Sequence, residues 1–566
     1  MLGGDAPVRI QSMTNTDTGD VAATVNQCKS ILRAGAELVR VTVRSLAEAD
    51  RLPEIKKQLT SDGYQQPLIA DVHFNPEIAC KAALYADKVR INPGNFGGAD
   101  YRSRFIDFLD ICRKNNTAIR IGVNHGSLSE RMMNAYGDSP EGMVESAMEY
   151  LRICMDENFK PVVVSLKSSN TRIMIHANRI LVSEMKKAGM DYPIHLGITE
   201  AGAGEDARMK SAVGIGTLLT EGIGDTIRVS LTEKPENEIP FARKLTGITA
   251  ENNHPADANL SLYPFTYSRR KTYQVGSTGG NNPSVVVVSM NPDMSRTPGQ
   301  FNTDPDFIFD TRSAILSSKK DKSQTETSGQ IPVIKIQDFI PGKLPVKNTY
   351  CVETSLKEIN KINISALSKY GNAKIAIFIS QNDHSLGIRK VFDKFLLSEL
   401  FFPVILRYSC NEKDREDYLI RAATNLGGLF IDGLPDGLWL ENKYFSADVN
   451  AAMAFNLLQA SRARMSKTEF IACPSCGRTL FNIEQVLAKV KKATEHLKHL
   501  KIAIMGCIVN GPGEMADADY GYVGSGKGKI TLYKSKDAVK KNIPEEKAIE
   551  ELIHLIKENN DWIEPE

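Results

Sequence analysis

The chain has no run approaching the ~18 consecutive apolar residues of a membrane span, which argues against a transmembrane role. It has almost no net charge: 70 basic and 68 acidic residues leave +2, so no general field holds a polyanion such as nucleic acid, and any anion specificity must be local. It also lacks a fourth clustered cysteine. Cys473 and Cys476 stand in "ACPSCGRTL" and Cys507 in "MGCIVNGPGE", and no cysteine follows in the remaining 59 residues. The other six, Cys28, Cys80, Cys112, Cys154, Cys351 and Cys410, stand singly, the usage of a reducing compartment. The opening "MLGGDAPVRIQSMTNT" has neither an apolar signal core nor an Arg/Ser-rich transit segment. It lies so close to the first expected strand that a few native residues or a removed targeting piece are expected to precede it. The expected location is the bacterial cytoplasm, or a plastid if a transit segment was removed.

At 566 residues, with 42% hydrophobic and 24% charged residues, the chain has the composition of an ordinary globular protein and the length of about three domains. Eight apolar runs punctuate residues 1–250: "PVRIQSMT", "ELVRVTVRS", "PLIADVHFN", "KVRINPGN", "AIRIGVNHGS", "PVVVSLKSS", "PIHLGITEAG" and "TIRVSLT". Helical stretches fit between most of them, which predicts an α/β domain with a parallel sheet, and the count and length are those of a (β/α)8 TIM barrel. An open doubly wound sheet is the alternative. Residues 251–455 lose the regularity, with the polar stretch "SSKKDKSQTETSGQ" and runs such as "PSVVVVSM", "KIAIFIS" and "PVILRYS". They are expected to form an inserted α/β domain without the strand-end cations of the first, serving structure or spacing. Residues 456–566 are expected to form a small α+β domain that carries the three cysteines, with "NIEQVLAKVKKATEHLKHL" as an amphipathic helix and "YVGSGKGKITLY" as a hairpin.

Side chains alternate along a strand, so Arg40 opposes Val39 and Val41, Arg90 opposes Val89 and Ile91, Arg120 and Asn124 oppose Ile119 and Val123, and Arg228 and Ser230 oppose Ile227 and Val229. In a barrel the apolar face meets the outer helices, so the polar set points inward, at the end where active sites of this fold are built. A cluster of Arg40, Arg90, Arg120, Lys167 and Arg228 requires either carboxylate partners or an anionic ligand with phosphate-like oxygens. Asp71, His73 and Glu200 lie at the same level, and a carboxylate there can orient a hydroxyl, move a proton or pair with an arginine.

The C-x2-C motif followed after 30 residues by a lone Cys leaves two readings open. A Cys3His zinc site would draw on His496 or His499. Four irons held by three thiolates would leave one iron free for another ligand.

Together "QSMTNT", "RVTV", "ADVHFN", "VRINPGN", "GITEAG", "CPSCGR" and "GCIVNGPGE" resemble, in order, the motifs of the 4-hydroxy-3-methylbut-2-enyl diphosphate synthases, iron-sulfur enzymes of the non-mevalonate isoprenoid pathway. The resemblance covers the first 250 and last 110 residues, and the ~200-residue middle is similar to the long three-domain form, whose insert is a degenerate barrel. It implies reductive ring opening of 2-C-methyl-D-erythritol 2,4-cyclodiphosphate to 4-hydroxy-3-methylbut-2-enyl diphosphate, with ferredoxin or flavodoxin as electron donor. It further implies a 4Fe-4S cluster on Cys473, Cys476 and Cys507, with Glu514 on the fourth iron. By matching motifs, Arg40, Asp71, His73, Arg90, Arg120, Asn124, Lys167, Arg228 and Ser230 would surround the substrate, and Glu200 would face the reacting carbons. The family's short form closes one subunit's cluster domain over its partner's barrel, so a homodimer is left open. A phosphate-binding barrel transferase with a structural zinc is the competing function, and a zinc-ribbon interaction protein is a third.

Overall fold

A computed structural model describes the chain except residues 1, 74, 97, 99, 252–266, 291–302, 319–329, 339–348, 360–374, 382–384, 509, 510, 516 and 566. The polar stretch 317–330 therefore falls mostly outside the described residues. The chain divides into two compact units, one of Met1–Glu251 with Lys467–Glu566 and one of Asn252–Ser466.

All eight apolar runs of the first unit become strands: β1 (Arg9–Met13), β2 (Leu38–Val43), β3 (Leu68–Val72), β4 (Lys88–Ile91), β5 (Ala118–Asn124), β6 (Val162–Lys167), β7 (His195–Leu196) and β8 (Thr226–Ile227). Their order is β6-β5-β4-β3-β2-β1-β8-β7, with parallel neighbours throughout. A single parallel bridge between Val164 and Ile194 joins β6 to β7, so the sheet curls into a barrel rather than an open doubly wound layer. The β-branched face of each strand is sealed against the helices, with Val39, Val41, Val89, Ile119, Ile121 and Val123 fully buried. Helix starts are marked by side-chain caps. Asp20 accepts from Ala23 N ahead of the helix Val21–Arg33, and Asn170 accepts from Arg172 N and Ile173 N ahead of Thr171–Lys187.

The second unit is also a closed eight-stranded barrel, of β9 (Val285–Met290), β10 (Phe307–Asp310), β11 (Ile315–Ser318), β12 (Gln330–Lys335), β13 (Tyr350–Ser355), β14 (Ile375–Gln381), β15 (Val404–Cys410) and β16 (Gly437–Asn442). Only β11 runs antiparallel to both neighbours, because four residues separate it from β10 and a parallel crossover needs a dozen or more. The helix Ala447–Ala460 follows β16, and the unit runs on to Ser466, beyond the composition change at 456. The expectation of a barrel without strand cations is corrected here. Arg407 on β15 is such a cation, paired with Glu353 at 2.5 Å and Glu441 at 2.9 Å and lying 4.1 Å over the Trp439 ring.

The last hundred residues of the first unit form a five-stranded sheet in the order β17 (Glu469–Ala472), β18 (Lys501–Met505), β19 (Tyr520–Gly526), β20 (Lys529–Lys534) and β21 (Asp537–Pro544). One face packs Ile483, Val486, Leu487 and Val490 of the helix Ile483–Thr494 and Leu552, Leu555 and Ile556 of the helix Ala548–Glu558 against Tyr520 and Tyr522. The first of these helices ends before Leu497, which is fully buried in the turn that follows it. β17, β18 and β19 run parallel, and the cysteines stand just past the ends of β17 and β18, where parallel sheets place ligands. Among the described residues no helix is long and apolar enough to cross a membrane.

One interior group opposes the fold. Lys88, on the inward face of β4, is 5% exposed, and burial together with the Arg120 guanidinium pulls its ammonium down to about 7. Between that value and the ~10.4 of an unfolded lysine, the unfolded chain binds the extra proton, so this group makes stability rise with pH over that window, by at most ~1.4 kcal/mol per unit. Lys88→Met is expected to raise the melting temperature near pH 7, with the gain over the native chain shrinking steadily towards pH 10 in calorimetric scans. A pH-independent difference would show that Lys88 keeps its ordinary charge.

Candidate active site

Each sequence-predicted site residue lines one cavity of about 770 Å³, counted with its open mouth: Arg40, Asp71, His73, Arg90, Arg120, Asn124, Lys167, Glu200, Arg228 and Ser230 from the barrel, and Cys473, Cys476, Cys507 and Glu514 from the small domain. Both walls belong to one chain. Met13, Thr199 and Arg478 are among the further lining residues; strand alternation could not point to Arg478, because it stands on a turn of the other domain, directly after C-x2-C-Gly.

The barrel wall is a set of cations with unequal partners. Arg228 reaches Glu238 from Nε at 3.3 Å and Nη2 at 3.1 Å, so for this residue the carboxylate-partner reading holds. Arg90 donates to Asp71 at 3.2 Å, to Gly122 O at 2.9 Å and to His73 Nε2 at 2.5 Å. The other three have no carboxylate partner among the described residues. Arg40 donates from Nε to Met13 Sδ at 3.1 Å, Arg120 leaves Nε and Nη1 without a hydrogen-bond partner, and Lys167 meets His195 Nε2 at 3.1 Å. Burial pulls the Arg40 guanidinium down to about 10, helped by Arg228 and Arg90 against the pull of Asp71. Burial and the neighbouring arginines lower Arg120 and Lys167 well below their ordinary values. Like charges gathered this way repel one another, and an anionic group among them would relieve that repulsion.

The acidic and imidazole groups divide by environment. Burial would raise the Asp71 carboxyl, but Arg40, Arg90 and His73 outweigh it and keep Asp71 ionised well below the usual range. Asp71 is thus a counter-charge of the cation cluster. Burial, with Arg90 and Arg478, lowers His73 to about 3, so it is a neutral imidazole whose Nε2 accepts from Arg90. Glu200 has a left-handed backbone, φ 49°, a conformation held only where surroundings impose it, and its Oε2 has no hydrogen-bond partner. Burial and the adjacent Glu514 raise Glu200 well above the ordinary range, and burial raises Glu514 as well. Glu514 Oε1 accepts from Asn124 Nδ2 at 2.5 Å.

The small domain is fastened to the mouth by its edge strand. Ala472 of β17 forms a parallel bridge with Ala201, Gly202 N donates to Ala472 O at 3.3 Å, and Thr232 Oγ1 donates to Cys473 O at 3.2 Å. A buried ion pair joins Lys210 to Glu469 at 2.9 Å, and Asn170 Nδ2 donates to Asp517 at 2.7 Å. Gly126 and Gly513 meet backbone to backbone: a Cβ on Gly126 would stand 2.0 Å from Gly513 O, and Gly126 has φ +77°. Cys473 Sγ accepts from Gly506 N at 3.3 Å. His496 bonds the Ile563 carbonyl at 2.8 Å and packs edge-on against Trp562, and His499 is exposed. Neither lines the cavity, which corrects the Cys3His reading. Among the described residues no three His, Cys, Asp or Glu side chains converge on a point that could hold one metal ion.

The GcpE TIM-barrel domain matches residues 1–243, and the GcpE protein C-terminal domain matches residues 469–558. The chain belongs to the GcpE family. It is 48% identical over 602 aligned positions to a 4-hydroxy-3-methylbut-2-en-1-yl diphosphate synthase (flavodoxin) of Phocaeicola vulgatus, covering 100% of this chain and 97% of that one. The counterpart of Bacteroides fragilis is 48% identical, with 100% and 95% covered. A chloroplastic 4-hydroxy-3-methylbut-2-en-1-yl diphosphate synthase (ferredoxin) of Oryza sativa subsp. japonica is 39% identical, with 100% and 86% covered. These family relatives span the second unit as well as the two matched domains.

Gly126→Ala is expected to leave both barrels folded but force the seam apart, since neither backbone at this contact can yield like a side chain. Displacement of about 1 Å at a reacting geometry costs on the order of 100-fold in rate. The checks are kcat/KM and amide hydrogen exchange in β17 and β18; unchanged exchange with full activity would show that the glycines do not set the seam.

Proposed function

We propose that this cavity carries out the family's reaction, in which 2-C-methyl-D-erythritol 2,4-cyclodiphosphate takes up two electrons, loses water and becomes 4-hydroxy-3-methylbut-2-en-1-yl diphosphate. The carrying observation is that buried barrel cations, three of them hydrogen-bonded to no carboxylate among the described residues, and three thiols of the small domain line one cavity. The donor set suits an iron-sulfur cluster: three soft thiolates and one carboxylate on a shared wall, with a backbone N–H already directed at a sulfur. Cys473, Cys476, Cys507 and Glu514 are the residues that would hold a 4Fe-4S cluster, which when bound supplies the two electrons one at a time.

The rest of the work falls to the chain. Arg40, Arg120 and Lys167 take the diphosphate as the counter-charge the barrel does not provide, and the forked guanidinium of each arginine fits two phosphate oxygens. Arg90, held by Asp71 and His73, and Arg228, held by Glu238, keep fixed orientations, so the anion is located as well as attracted. Asn124 and Ser230 stand at the ends of their strands as neutral hydrogen-bonding groups for substrate oxygens. The partnerless Oε2 of Glu200 is placed to hand a proton to the departing hydroxyl: the ring carbon–oxygen bond to phosphate and the carbon–hydroxyl bond both break with their pairs going to oxygen, the two electrons taken up become the new double bond, and the hydroxyl leaves with that proton as water. The seam of β17 with residues 201 and 202 fixes the position of Glu200 beside the small domain's wall while this happens. Flavodoxin or ferredoxin is the proposed electron donor, after the names of the relatives, and the bacterial cytoplasm is the proposed setting, with a plastid the alternative after the chloroplastic relative. The transferase reading loses its zinc ligands with the placement of His496 and His499.

Anaerobic purification should yield a coloured protein with close to four iron and four acid-labile sulfide per chain; a colourless chain with one zinc would reject the reading. Arg120→Gln should raise KM about ten- to a hundredfold, the loss expected for charged hydrogen bonds, with iron content unchanged. Glu514→Ala should leave a labile cluster and little turnover, and full activity would remove Glu514 from the ligand set.

A further inference from the structure

Among the described residues, Arg478 is the cation of the cavity wall that the barrel does not supply. It is 9% exposed, yet its contacts stand at the limit of bonding: Nη2 lies 3.4 Å from the Asp71 carbonyl oxygen and Nη1 lies 3.7 Å from Asp71 Oδ2. That carboxylate is already engaged by Arg90 at 3.2 Å and lies 3.5 Å from His73 Nε2. A buried guanidinium beside an occupied carboxylate has hydrogen-bonding capacity to spare, and the cavity is where that capacity can be used.

Its position is set by docking. Arg44 Nη1 donates to Gly477 O at 2.6 Å, and Gly477 is packed so that a Cβ would stand 2.6 Å from Thr16 O. The C-x2-C-Gly-Arg turn is thus pinned to two barrel loops, and Arg478 follows it into the mouth only while the small domain is seated.

We propose that Arg478 is a further anion-binding residue, donating to the substrate's diphosphate from the small domain so that the anion itself bridges the two walls and couples its own binding to closure. The inference rests on the reading of the barrel cations as a diphosphate site. The bland rival is a structural latch, in which Arg478 serves only to hold Asp71.

Inorganic pyrophosphate is the probe, titrated calorimetrically into anaerobically purified, iron-loaded full-length enzyme. Arg478→Gln should weaken its binding about tenfold or more, Arg478→Lys should recover part of the loss, and iron and sulfide content should match the native chain in both. Pyrophosphate should slow hydrogen exchange along β17 and β18 in the native chain and lose that effect in Arg478→Gln. A latch predicts the opposite pattern: exchange raised without any ligand, reproduced by Asp71→Asn, with pyrophosphate affinity within twofold of native. Either unchanged affinity or that pattern overturns the inference. Arg120→Gln separates the two levels. If it also leaves pyrophosphate binding intact, the diphosphate reading itself fails; if it weakens binding while Arg478→Gln does not, only the role of Arg478 fails. Should Arg478→Gln lose its iron, Arg478→Lys decides on the same affinity criterion.

Discussion

The structure depends on a deliberate imbalance: buried positive charge without enough negative charge beside it. Other cations of this chain stand beside carboxylates. Arg179 meets Glu221 at 2.6 Å, and in the second barrel Arg407 sits between Glu353 and Glu441. In the mouth of the first barrel, Arg40, Arg120 and Lys167 are hydrogen-bonded to no carboxylate among the described residues, and the charge of Asp71 is shared by Arg40 and Arg90. Taking one ion out of water costs several kcal/mol unless it is paired. The hydrophobic layer between strands and helices must carry that burden, and an anion with several oxygens removes much of it on arrival. Among the described residues the two barrels thus differ: Arg407 of the second is neutralised by carboxylates of its own strands, while the mouth of the first gathers more positive than negative charge.

The second constraint is mechanical. β17 is the edge of a five-stranded sheet, and an open edge seeks a partner. Here the loop at residues 201–202 covers it, directly after Glu200. On the strand side, Ala472 is followed by Cys473. The same hydrogen bonds that seat the small domain therefore fix the proposed proton donor and a proposed cluster ligand relative to each other. Glycines at 202 and 204, with φ +93° and +68°, let the loop turn away directly afterwards into the helix Gly204–Thr220, whose Lys210 returns to Glu469.

What the sequence made legible follows the range of the forces involved. Alternation along a strand is local, so the eight strands and the inward set from Arg40 to Ser230 could be read from single runs, down to the weak β7 and β8. Partners at a distance could not. Nothing near Arg228, just past β8, marks Glu238 as its counter-charge, and nothing in the run "PVILRYS" shows that Arg407 meets Glu353 and Glu441 from the neighbouring strands. Arg478 stayed hidden because it reaches the site across a domain seam. Its one local signal was an arginine directly after C-x2-C-Gly, where alternation has no meaning. The histidines misled for the converse reason: helical spacing brought His496 and His499 near the cysteines in sequence, while the fold turns His496 onto Trp562.

The seam is also opposed from within. Docking buries Glu200 and Glu514 side by side, 5% and 8% exposed, and two carboxylates so placed cannot both ionise without a large penalty. Asn124, donating to Glu514, and the more distant Arg90 offset part of this, and the Lys210–Glu469 pair and the strand bridge supply attraction further out. The balance differs from that of a permanent domain interface, where the centre is apolar and the charges lie at the rim. Here the charges lie at the centre, on both walls, and the apolar packing of Met505, Met515 and Val523 stays within the small domain's own core. With like charges at the centre of both walls, an anion bound as proposed would relieve repulsion on each wall at once and so favour the seated arrangement, which is how an occupied site can bias a closure.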